Sequence, residues 1–185
     1  TNKTLTSPVL TTPNLGTPSA VTLTNATFPA GHIVKIEQFV EKETNDTTST
    51  SFVPIATSTG FDDSITPSSA TNKILVIVQM WIASETDYVW VRLHRTGGAS
   101  GDGSIYEGGT VANAPARLSG ISGRQPGGEN SQEIVIIYRD SPGVDTAVNY
   151  QIQWMKSGSG TARFNINQDG TSGTDHKPTF PSSIT

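Results

Sequence analysis

Catalysis needs a nucleophile beside a base, a pair of carboxylates or a metal cluster, and the residues able to supply them are few in this chain. There is no cysteine, and the three histidines, His32, His94 and His176, are isolated in sequence, so no His-x-x-x-His or Glu-x-x-His spacing arises. Serine is abundant, yet no Gly-x-Ser-x-Gly elbow occurs, and in such a chain a Ser near a His and an Asp is expected by chance. Asp62 and Asp63 are adjacent; on a strand they point to opposite faces and would not share one substrate. The string Asn165-Ile166-Asn167-Gln168-Asp169-Gly170 has the alternating oxygens and glycine of a calcium loop. It fails at the twelfth position, where His176 stands in place of a bidentate Glu, so a hairpin turn at Asp169-Gly170 is the simpler expectation. No catalytic residue, cofactor or metal is expected.

Binding chemistry is better represented. In residues 88–95, Tyr88, Trp90, Arg92 and His94 alternate with Val89, Val91 and Leu93, so a strand here shows aromatic rings and cations on one side and aliphatic groups on the other. Such a face can stack on sugars, meet the same strand of a neighbouring subunit, or form a second buried face of a sandwich. All three readings stay open at this point. The Gly-rich segments 96–109 and 119–130 read as long surface loops, and Asp102, Tyr106, Glu107 and Arg124 are the side chains there able to anchor a receptor.

The elements that must position these groups are strands. The 185 residues suffice for one sizeable domain. About a quarter of them are Ser or Thr, with 18 Gly and 11 Pro, a composition that suits pleated surfaces and long turns. Residues 33–40 and 61–66 alternate, and 41–51 reads as a polar loop. Pro54 demotes 52–55 to an edge. Residues 73–83 and 133–140 are apolar on both faces, which predicts strands covered on both sides, while 147–156 and 161–166 each place an aliphatic or aromatic residue at every second position. No segment carries helical periodicity. The expected class is therefore all-β, an antiparallel β-sandwich of jelly-roll type, occupying residues 20–185.

Residues 1–19 differ. Three tandem pentads, Leu-x-(Ser/Thr)-Pro-x, begin at Leu5, Leu10 and Leu15. A proline at every fifth residue removes a donor and holds its predecessor extended, which forbids a helix. One Leu per five extended residues cannot bury itself. Either the leader is a flexible Pro/Thr-rich linker, or, as the regular spacing favours, it is an extended stalk whose leucines meet those of sister chains. The net charge of −4 without a basic cluster argues against nucleic acid. The apolar runs fall short of the roughly 20 residues that span a bilayer, so no membrane insertion is expected.

Three stretches carry a resemblance: Phe61-Asp62-Asp63-Ser64-Ile65-Thr66-Pro67-Ser68-Ser69-Ala70-Thr71-Asn72-Lys73-Ile74-Leu75-Val76, then Asn149-Tyr150-Gln151-Ile152-Gln153-Trp154, then Pro181-Ser182-Ser183-Ile184-Thr185. Together with the pentads and the passage through residues 22–31, they resemble the C-terminal domains of structural proteins in tailed bacteriophages, marine ones among them. The resemblance implies a virion fibre, a homotrimer with a jelly-roll tip that adsorbs to a host-surface glycan or protein and contacts other virion proteins. It also implies a further apolar strand after the final Ser-Ser-Ile-Thr, and the start at Thr1 without Met reads as a processed form or the ordered part of a longer chain. A capsid-attached fibre or decoration protein, a polysaccharide depolymerase and a secreted lectin module are the alternatives.

Overall fold

The computed structural model describes residues 31–84, 88–106, 120–122, 131–166 and 181–185. Two compact units divide the chain, Thr1–Val34 and Lys35–Thr185. In the first, only residues 31–34 are described; Ile33 and Val34 there are exposed. Both leucine pentads and stalk fall outside the described residues.

The second unit is all-β. Its strands are β1 (Phe39–Glu41), β2 (Asn45–Thr47), β3 (Val53–Pro54), β4 (Asp62–Ile65), β5 (Ile74–Ser84), β6 (Val89–Thr96), β7 (Gly103–Ile105), β8 (Gly120–Ser122), β9 (Gln132–Asp140), β10 (Val148–Lys156), β11 (Ala162–Phe164) and β12 (Ser182–Ile184). They form two antiparallel sheets. In the first, β5 pairs with β9 along one side and with β12 and β11 end to end along the other, and these pair in turn with β1 and β2. In the second, β10 and β6 are the central pair, flanked by β3 and β4 on the β10 side and by β7 and β8 on the β6 side. From β4 to β11 the chain passes repeatedly between the sheets, which gives a β-sandwich with jelly-roll-like winding.

One core lies between the sheets, because strict alternation places every second residue inward. β5 contributes Ile74, Val76, Val78, Met80 and Ile82, β6 Val89, Val91 and Leu93, and β10 Val148, Tyr150, Ile152 and Trp154, all buried. Phe164 of β11 is the hub. Its ring centroid lies 5.1 Å from that of Phe61 and 6.3 Å from that of Trp154, the latter edge-on at 73°. Pro54 does sit on an edge: β3 pairs only with β10 among the described strands, for two residues.

Four details depart from the sequence reading. The strand expected over 33–40 is confined to Phe39–Glu41, since Ile33, Val34 and Ile36 lie exposed with no neighbouring strand among the described residues. Within the expected 41–51 loop, Asn45–Thr47 pairs with β11, drawn in by backbone hydrogen bonding that polar side chains do not advertise. Most consequentially, the outer faces of β5 and β9 are uncovered over much of their length, although Ala83 at the end of β5 is buried and Trp81 half-buried. Leu75, Ile77, Val135 and Ile137, expected to be buried, are exposed within the single chain. The strand β12, not anticipated at 182–184, lies between β1 and β5.

Candidate functional site

On β6 the alternation is as the sequence implies. Val89, Val91 and Leu93 face the core, while Trp90, Arg92 and His94 stand half-buried on the outer face of the second sheet. Tyr88 precedes the strand and is exposed; its N–H donates to Ser157 Oγ at 3.1 Å, and its carbonyl accepts from the Ser157 N–H at 2.9 Å. Antiparallel register sets Trp90 opposite Met155, Arg92 opposite Gln153, and His94 opposite Gln151 on one side and Ser104 on the other. Thus Trp90, Arg92 and His94 come together on this face, with Tyr88 just before the strand, and amides the sequence reading had not assigned join them.

The geometry holds this face stiffly. Arg92 Nε and Nη2 both donate to Gln153 Oε1, at 2.8 and 2.5 Å, and the guanidinium lies 4.2 Å over the Phe52 ring, so its planar fork is used for stacking and hydrogen bonding at once. Gln153 Nε2 donates onward to Gln151 Oε1 at 3.4 Å. Burial pushes the His94 imidazole below its ordinary range, the neighbouring Arg92 charge adds to this, and Asp102 opposes it. The ring is therefore neutral near pH 7, and its buried Nδ1 has no hydrogen-bond partner among the described residues. A face of indole, imidazole, guanidinium and amide groups can stack on a flat ligand and offer it donors and acceptors.

Arg95, next on the inward side, was missed as a working residue. A guanidinium among Val89, Val91 and Leu93 would be costly alone. Here Nη1 donates to both carboxylate oxygens of Asp140 at 2.9 Å, Nη2 donates to Ser100 Oγ at 2.5 Å, and Tyr150 OH donates to Asp140 Oδ2 at 2.7 Å. The Tyr150 hydroxyl is pushed well above its ordinary range, by burial first and then by the Asp140 carboxylate. The cluster reaches into the first Gly-rich loop, where the Ala99 N–H donates to the Pro142 carbonyl at 2.8 Å and a side chain at Gly98 would collide with the Arg95 guanidinium. Counting parity along 89–95 places Arg95 inward, and that was the available signal.

Among the expected receptor residues, Asp102 is occupied as a brace, its Oδ1 accepting the Gly97 N–H at 2.9 Å. Gly97 itself needs its φ of +83°, and a Cβ there would meet the Ala147 carbonyl oxygen at 2.6 Å. Tyr106 is exposed, adopts φ 53°, and packs against Tyr138 with centroids 5.1 Å apart. Glu107 and Arg124, like Leu5, Leu10 and Leu15, lie outside the described residues.

The adjacent carboxylates and the start of the calcium-like string are each engaged within the fold. Asp62 Oδ2 accepts from Asn149 Nδ2 at 2.8 Å, whereas Asp63 Oδ1 accepts its own neighbour's N–H at Ser64. Burial lifts the Asp63 carboxyl above its usual range, that hydrogen bond opposes the rise, and the charges of Glu37 and Asp62 reinforce it. Asn165, first in the calcium-like string, is fully buried at φ 57° and spends its amide on the carbonyls of Glu41 and Glu43 at 3.1 and 3.0 Å and on the hydroxyl of Ser182. It is a clamp between strands. The remainder of the string is outside the described residues, and among the described residues no group of three or more His, Cys, Asp or Glu could hold a metal ion.

Compared with known proteins, the chain matches no family model and no curated sequence.

Proposed function

We propose that the chain is a non-enzymatic structural protein of a phage virion, a fibre subunit whose β-sandwich tip presents loops and a stiff aromatic face to the host surface. The observation that carries this reading is the buried Arg95–Asp140–Tyr150 cluster, which ties the loop through Ser100 to the core. A loop already ordered before contact gives up little entropy on binding. Trp90, Arg92 and His94 beside Gln151 and Gln153 add a platform with the chemistry of glycan recognition. Three copies gathered by the leader would turn weak single contacts into avid ones, since linking raises apparent affinity by about 100- to 10,000-fold.

Light scattering on the full chain tests the assembly, with three copies per particle expected at micromolar concentration. Replacing Leu5, Leu10 and Leu15 together by Ser is expected to loosen the particle and to lower adsorption to host cells by about 100-fold or more, leaving the head's circular dichroism intact. A monomer in the unaltered chain overturns the proposal.

A further inference from the structure

Beyond adsorption, the first sheet carries a surface of its own. Across its outer face Val40, Leu75, Ile77, Val135 and Ile137 are 45, 56, 38, 54 and 59% exposed. Register makes the four on β5 and β9 contiguous, with Ile77 opposite Ile137, while Val40 stands at the far end of a transverse row that runs Val40, Ser183, Gln79, Val135. Single exposed aliphatics are ordinary on a surface, but five on one pleated face mark a contact.

Charge identifies the occupant. The outward row of β9 reads Glu133, Val135, Ile137, Arg139, an acid at one end, two aliphatics in the middle and a base at the other, all exposed. Glu133 is steadied at the rim by a hydrogen bond from Gln79 Nε2, and Arg139 makes no ion pair among the described residues. Turned end for end about an axis through the middle of the row, this pattern is its own complement. We infer that the face binds a second copy of the same chain across a two-fold axis, with β9 antiparallel to its counterpart, Glu133 against Arg139 and the aliphatics against each other. Aligned sheets pack in this manner at about 10 Å, and an isologous contact closes without growing into filaments. Parallel packing around a three-fold axis would instead stack like charges.

The face spans four strands by about six residues, roughly 19 by 20 Å, or about half the ~800 Å² per partner of a standard interface. Pairing is therefore weak, with half-association expected between about 10 µM and 1 mM.

Sedimentation equilibrium of the full chain from 1 µM to 1 mM reads this directly: whatever the starting unit, its mass doubles. The starting unit reports on the leader and the doubling on the face, so the two readings fail separately. Ile137→Lys, at an exposed position, abolishes doubling with the fold retained by circular dichroism. Glu133→Arg weakens it about tenfold by making two attractive pairs repulsive, and Glu133→Arg with Arg139→Glu restores it to within about threefold. No doubling at 1 mM, doubling indifferent to Ile137→Lys, or a double exchange that fails to rescue would each overturn the inference. A face covered by the leader or by a different protein gives the first of these results.

Discussion

Glu41 illustrates how far single side chains are committed to holding the strands in place. Its carboxylate, buried at the end of β1, accepts the N–H groups of Lys42 and Glu43 at 2.7 and 2.8 Å and the hydroxyls of Thr57 and Thr59. Burial alone would raise its pKa, but these donors outweigh it and hold it below the ordinary value. A carboxyl depressed in the folded state stabilises above its unfolded pKa and loses that contribution as pH falls through the folded value. His94 acts in the same direction by another route. Its depressed pKa means the unfolded chain takes up a proton first, so stability falls as pH drops below the ordinary histidine value. Urea titrations across pH should show two declines, the upper flattened by His94→Gln and the lower by Glu41→Gln. At Asp140, Asn in place of Asp leaves a buried guanidinium half-paired and is expected to cost about 3–5 kcal/mol, read from the midpoint of urea unfolding.

Strands whose two faces differ were the most legible elements. In β6 and β10 period-two alternation is explicit, and the inward residues Val89, Val91, Leu93, Ile152 and Trp154 could be named from it. Trp154→Ala should remove about 3–5 kcal/mol, measurable by thermal or urea unfolding, because Phe164 loses its edge-on partner. Two kinds of element were not legible. Asn45–Thr47 and Ser182–Ile184 are three residues each, too short for a pattern, and are placed by partners more than a hundred positions away. An apolar outer face, as on β5 and β9, reads the same whether a sheet, a sister chain or nothing covers it. Asn165 was legible as an oxygen ligand but not as a clamp, because its role depends on β1 and β12 converging on it. Asn165→Ala should release β12 preferentially, and hydrogen exchange at the Ile77 and Thr185 amides, which bond reciprocally to each other's carbonyls, should quicken before the core amides do.

For the molecule as a whole, the two sheets offer unlike exteriors on one core. One is aliphatic with a charge at each end of its β9 row; the other is amide-rich, cationic and aromatic. A chain built this way can associate through one side while leaving the other to a ligand. Its class was readable from composition and alternation, whereas copy number and ligand depend on surfaces that alternation does not describe. The position of β12 bears on how the molecule is made. Because residues 182–184 complete the sheet between β1, which begins 143 positions before 182, and β5, a nascent head still tethered to the ribosome presents an unfilled slot with two bare strand edges. That slot stays open until residue 184 has been synthesised, and a chaperone or a sister polypeptide able to lend a strand would find its opening during that delay.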